Sequence, residues 1–411
     1  MNVLLPLALR RAGARELKEF QAAQGLPPTG LPDEATQAAL EPYLLGYRRV
    51  TIAPGDTLWT LARDYGATVE AIETANPGIE PERLVPGSAL IVPLGFPLVP
   101  TDIPMTAGLC TYCIRGLAAR YPFCQSETLG QTAYGRPILT LVLGSGPRRV
   151  LYNGSHHANE WITTTLLLRF AEALADAYAA GGEVGGIPAR LLWQLATIYM
   201  VPMVNPDGVD LVTGALGPGD PGYEQARFLG AYYPQIPFPG GWKANLMGVD
   251  LNLNYPAGWD EAREIKFAQG YTRPGPRDYV GRAPLDQRET AAMVSYTSLT
   301  DPAAVLAYHT QGQVIYWQFR DITVPGAEAL GRKLARVSGY TLAETPYASS
   351  FAGYKDWFIQ AYRCPGYTVE AGLGENPLPL SQFDKIYRDN LGILLTAALP
   401  PALGAAGTSA G

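Results

Sequence analysis

Histidine is scarce in this chain. Only His156, His157 and His309 occur in 411 residues. Cysteine is scarce too, with Cys110, Cys113, Cys124 and Cys364. Four thiols in a chain of this length do not make a disulfide framework. Cys110 and Cys113 form a CxxC in LCTYCI, but no second CxxC completes a four-thiolate zinc site. The four read as reduced, buried or half-buried thiols. Positive charge is also short. A net charge of -6 argues against nucleic acid as the main partner, because phosphate binding needs a basic patch. No run reaches the roughly 18 apolar residues that span a bilayer, so no membrane span is expected. In MNVLLPLALRRAGARE the Arg10-Arg11 pair follows a short apolar stretch, whereas an export signal places its charges first. No classical signal peptide is read.

What is present is a core-forming composition, 47% hydrophobic against 17% charged. The length allows one large domain of about 250–300 residues plus small modules. Residues 1–45 read as two short helices. ARELKEFQAAQ sets Leu17 and Phe20 on one face and ends at Gly25, and Asp33 is placed to cap DEATQAALEPYL. Residues 48–94 read as strand, helix, helix, strand. Val50 and Ile52 alternate, Asp56 or Thr57 caps a helix, Asn76-Pro77-Gly78 closes a second, and Leu90–Val92 return as a strand. A Pro-rich linker, 95–105, follows.

Residues 106–400 alternate β-branched apolar runs with helical stretches. ILTLVLG, RRVLYNGS, ATIYMVPMVN, AVLAYHTQG and PGYTVEAG read as strands, and WITTTLLLRFAEALADAYAAG and PGAEALGRKLARVSG as helices. That order predicts an α/β domain with a largely parallel or mixed sheet covered on both faces. Residues 401–411 read as a tail.

All three histidines fall at strand ends, where open α/β sheets place their sites. In HHANE, a histidine and Glu160 three apart across a turn can face one ion. Catalytic zinc takes three protein ligands and keeps one position open. His309 is available as a third, and Glu370 ends another strand. On spacing alone, a metal site and a satisfied core histidine pair fit equally well.

Resemblance adds to this. FQAAQGLPPTGLPDEATQAAL resembles the helical peptidoglycan-binding module of cell-wall hydrolases. GDTLWTLA, the NPG turn and LVPGSALIVP resemble a LysM domain, a βααβ unit that binds the N-acetylglucosamine backbone of peptidoglycan or chitin. HHANEWITT, VPMVNPDGVDL, GVDLNLNYP, His309 and YTVEAG stand in the order of the zinc carboxypeptidases of the carboxypeptidase A-like, funnelin type. That family implies a mixed eight-stranded sheet between helices and one Zn2+ per chain. It implies His157, Glu160 and His309 as zinc ligands and Glu370 as general base. His156 is left a neighbouring role, with displacement of His157 as ligand the alternative. Lys243, in GGWKANLMG, stands where the family carries an arginine that polarises the scissile carbonyl. Tyr347 lies near the family's substrate-capping tyrosine, with Tyr354 as a substitute. Asn252 keeps one half of the motif that holds a substrate's terminal carboxylate, but Leu253 replaces its arginine. An apolar side chain cannot pair with a carboxylate.

With the wall-binding modules, that loss resembles the γ-D-glutamyl-meso-diaminopimelate peptidases, endopeptidase I type, of spore-forming bacteria. The resemblance implies hydrolysis of peptidoglycan stem peptides, with Arg277 or Arg282 in RPGPRDYVGRAP orienting their carboxylates. The alternatives are a conventional metallocarboxypeptidase and an inactive wall-binding protein. Sporangium, release on lysis and cytoplasmic recycling of wall fragments all stay open as locations, and oligomeric state is unread.

Overall fold

The structure is a computed structural model and describes residues 3–400. The expected tail, 401–411, lies outside the described residues. Two compact units divide the chain: residues 1–100 with 108–126, and residues 101–107 with 127–411.

The first unit opens with helices Leu4–Arg11, Leu17–Ala23 and Glu34–Leu45. The first of these was not expected. It forms because Leu7, Ala8 and Leu9 bury, while Arg11 donates to the carbonyls of Tyr43 and Leu98. Asp33 caps the third helix by accepting from the Thr36 amide. Strands β1 (Tyr47–Thr51) and β2 (Ala89–Pro93) then pair antiparallel around helices Leu58–Tyr65 and Val69–Ala75. Of the two candidate caps, Thr57 takes the position, in a reciprocal box with Thr60. Such a cap contributes about 1 kcal/mol. Asn76 fastens the NPG turn to β2, donating to Ile91 O and accepting from Ile91 N. Helix Ala107–Arg120 ends in a buried guanidinium that donates to the carbonyls of Gly46, Leu94 and Phe96. All of that helix but Ala107 clusters with this first unit, whereas residues from 106 onward were expected in the sheet domain.

The second unit is built on a mixed sheet. A hairpin of β3 (Thr128–Gln131) and β4 (Pro137–Leu139) leads into β5 (Leu141–Gly144) and β6 (Arg148–Asn153). A small hairpin, β7 (Glu183–Val184) and β8 (Ile187–Pro188), precedes β9 (Ala196–Val201). Then come β10 (Ala304–His309), β11 (Val314–Tyr316), β12 (Thr341–Ala343) and β13 (Gly366–Glu370). The main sheet runs β12-β11-β13-β10-β6-β9-β5. It has seven strands, not eight. The pair β3 and β4 forms a separate two-stranded hairpin. Thr140 breaks the chain between β4 and β5, with its amide bonded back to Glu127 O at 2.9 Å.

Strands β9, β6, β10 and β13 are mutually parallel, and β10 is buried at every residue, as its run AVLAYH requires. Their carboxyl ends therefore open on one edge. No helix among the described residues is long and apolar enough to cross a membrane.

One buried carboxylate is unused by the site. Glu289 is 1% exposed and accepts from the Asn245 amide at 3.4 Å. Burial pushes its pKa up to about 7, and the charge of Asp207 adds to the effect. Between the unfolded value of 4.5 and 7, the folded state holds the proton and the unfolded state does not. Stability therefore falls as pH rises through that window. Glu289→Gln keeps an acceptor for Asn245 and removes the charge. Denaturant titration should find the variant more stable at pH 8, by up to about 3 kcal/mol, and unchanged at pH 4.

Candidate metal centre and its cavity

Strand β6 ends at Asn153. The chain then passes through Gly154–His157 into a short 3-10 turn, Ala158–Glu160, and the helix Ile162–Ala180. The turn is pinned by Ala158 N, which donates to Lys243 O at 2.9 Å. Its side chains His157 and Glu160 meet His309, the last residue of β10. His157 Nδ1 lies 2.9 Å from Glu160 Oε1, and His309 Nδ1 lies 2.9 Å from Glu160 Oε2. The two imidazole Nδ1 atoms are 3.1 Å apart. All three side chains are buried, and they are the group that could hold a metal among the described residues.

The donor set tests whether zinc fits. Two ring nitrogens aimed at one another share at most one proton between them, beside a carboxylate with 1% side-chain exposure. That is a cradle for one cation. His157 Nε2 lies 3.1 Å from Asp250 Oδ1. With Nε2 protonated and donating to the carboxylate, Nδ1 keeps its lone pair for a ligand. Without metal, a proton stands in for the ion. Burial opposes the charged ring, but Glu160 and Asp250 outweigh it and push the His157 pKa up to about 9. The cradle takes a cation, and two imidazoles with one carboxylate match a catalytic zinc site.

His156 is outside this cluster. It is fully buried, with Nε2 at 2.9 Å from the Tyr255 hydroxyl.

A cavity of about 520 Å³ opens beside the cluster, lined by Asn159, Lys243, Arg277, Tyr316, Glu370 and Asn376 among others. Lys243 Nζ is 3.6 Å from Glu160 Oε1. Glu370 ends β13 in register with His309 on β10. Burial, reinforced by the negative charge of Glu160, pushes its carboxyl up to about 8. Arg277 donates to Asp278 through Nε and forms part of the cavity wall.

Tyr347, Tyr354, Arg282, Asn252 and Leu253, all singled out in the sequence, do not line this cavity. Tyr347 is 73% exposed, with its ring edge against Phe351. Tyr354, the substitute, is fully buried and its hydroxyl meets that of Thr297, so it has no surface with which to cap a substrate. Arg282 has 88% side-chain exposure. Asn252 spends its carbonyl oxygen on the Tyr354 amide at 3.0 Å. Leu253 is buried in the apolar cluster that includes Leu251, Tyr255 and Phe351. None of the four cysteines is in a disulfide or in the metal cluster.

Sequence reasoning missed Asp250, although it lies inside the quoted GVDLNLN. It also missed Asn376, which no motif marks.

A buried two-histidine, one-carboxylate cradle at the carboxyl edge of a mixed sheet has the donor set of a metal-dependent enzyme, catalytic zinc hydrolases among them. Comparison with known proteins makes this specific. The zinc carboxypeptidase family matches residues 111–392, and the LysM domain family matches residues 50–93. The chain belongs to the zinc carboxypeptidase family and is a zinc metallopeptidase carrying a LysM domain. It is 44% identical to gamma-D-glutamyl-L-diamino acid endopeptidase 1 of Lysinibacillus sphaericus over 283 residues, 69% of this chain and 69% of that protein. It is 36% identical to the uncharacterised protein YqgT of Bacillus subtilis over 279 residues, 67% of this chain and 72% of that one. The crystal structure of carboxypeptidase A from Helicoverpa armigera shares the fold, with a TM-score of 0.54 at 18% identity, over 75% of this chain and 76% of that chain.

Asp250→Ala leaves His157 Nε2 buried without its carboxylate. Competition with a chromophoric chelator should find zinc bound about 10–100-fold more weakly in that variant. Unchanged affinity would remove Asp250 from the account of the site.

Proposed function

We propose that this chain hydrolyses the bond between γ-D-glutamate and the diamino acid of peptidoglycan stem peptides, with its LysM domain holding it on the glycan. The observation that carries the reading is Leu253. A buried leucine stands where a carboxypeptidase needs a cation for the substrate's terminal carboxylate. An enzyme without that clamp is free to cut inside a peptide. The Lysinibacillus sphaericus relative, named for a γ-D-glutamyl bond, supports the same direction.

His157, Glu160 and His309 would hold the metal. Bound zinc supplies a Lewis acid and lowers the pKa of water toward neutrality. Glu370 is the general base. It takes the proton of the attacking water at its carboxylate and returns it to the leaving amine. Lys243, with 19% side-chain exposure, presents its ammonium to the charge that develops on the carbonyl oxygen. Unlike an arginine, it offers a point charge without a planar hydrogen-bonding fork. Stem peptides carry several carboxylates, and Arg277 in the cavity wall is the residue to orient one. In the LysM domain, a groove of about 850 Å³ between Asn76–Glu80 and Arg83–Leu90 is the place for a glycan.

Mass spectrometry of products from an L-Ala-γ-D-Glu-meso-diaminopimelyl-D-Ala tetrapeptide, in which the γ-D-Glu bond is not the C-terminal one, tests this. Cleavage at the γ-D-Glu bond should stop with a chelator and fall about 10²–10⁴-fold in Glu370→Gln. It should also decline at acid pH, where the Glu370 carboxyl is protonated, because a protonated carboxyl is no base. Release of a C-terminal residue alone would make the enzyme an exopeptidase and reject the proposal.

A further inference from the structure

Glu160 is held by more than its metal partners. Thr310 follows His309 at the end of β10, and Asn376 lies in the loop beyond β13. The Thr310 amide donates to Glu160 Oε2 at 3.3 Å, and Asn376 Nδ2 donates to Glu160 Oε1 at 3.4 Å. Each carboxylate oxygen therefore carries one donor from this pair. The two residues also grip each other. Asn376 Nδ2 donates to Thr310 O at 2.9 Å, and Thr310 Oγ1 donates to Asn376 Oδ1 at 2.7 Å.

That second grip fixes which end of the amide faces Glu160. Turned over, Asn376 would set its oxygen against the Thr310 carbonyl and the Glu160 carboxylate, with acceptors facing acceptors. Aspartate at 376 would bring a second negative charge to the same place. A carboxamide alone supplies the donor toward Glu160 and the acceptor toward Thr310 at once.

We propose that Asn376 and Thr310 are a positioning pair that sets the plane of the Glu160 carboxylate before zinc arrives. A glutamate turns about three side-chain bonds. Holding both oxygens in advance removes part of the ordering cost that binding would otherwise carry. The pair also links the loop after β13, which carries Glu370, to the loop after β10, which carries His309. The inference rests on the zinc-ligand reading of Glu160 and does not depend on the substrate.

The test uses the full chain, stripped of metal and titrated with Zn2+ against a chromophoric chelator. Asn376→Ala should weaken zinc binding about 10–100-fold. Thr310→Val keeps the backbone donor and should weaken it less. The double variant should match Asn376→Ala, because the threonine hydroxyl acts through the amide. Melting temperatures of the metal-free proteins should stay together, which a merely structural role would not allow. Zinc affinity of Asn376→Ala within twofold of the parent would overturn the proposal, and so would full additivity in the double variant. If Asn376→Ala does not fold, Thr310→Val alone decides, and an unchanged affinity in it overturns the proposal. Glu160→Ala is the separate control. If it binds zinc as the parent does, the ligand assignment itself has failed.

Discussion

The parallel pairing of β6, β10 and β13 is the constraint on which the site depends. It brings three carboxyl ends to one edge, although their residues are up to about two hundred positions apart in the chain. His309 and Glu370 are register partners across β10 and β13. His157 and Glu160 come from the turn that follows β6, the other neighbour of β10. A slip of one residue in the β10–β13 register would turn every side chain to the opposite face. Metal ligand and base would then part. The buried apolar run of β10 stands against such a slip.

Around that frame, charge is balanced in layers. Glu160 is buried, a state that costs several kcal/mol for an unpaired ion. Lys243, the Thr310 amide and Asn376 all reach it. Asp250 performs the same service for His157 from the far side of the ring. Burial works against the Asp250 carboxylate, yet His157 and Lys243 hold its pKa well below the ordinary range. The cradle is thus organised by residues from separate segments: Asp250 directs His157, and Thr310 and Asn376 direct Glu160, while His309 Nε2 has no hydrogen-bond partner.

How much of this could be read in the sequence follows from what each feature depends on. Strand ends were legible because apolar runs stop at His309 and Glu370, and Asp33 and Asn76 were legible because caps and turns are local. Glu160 followed from its spacing to His157. Asp250 was overlooked because its role lies 93 residues from its partner. Asn376 has no local signal at all, since its partners come from two other loops. Tyr347 came only from resemblance, and it stands exposed against Phe351, outside the cavity lining. The count of eight strands came only from resemblance, and the main sheet has seven, with β3 and β4 paired apart from it. Local chemistry was readable and long-range company was not.

X-ray absorption at the zinc edge of the metal-loaded protein tests the central claim most directly. The account predicts one zinc per chain with a shell of nitrogen and oxygen only, the two imidazoles giving their characteristic multiple scattering. A sulfur scatterer would contradict it, because the metal would then sit on Cys110 and Cys113 rather than between β6 and β10.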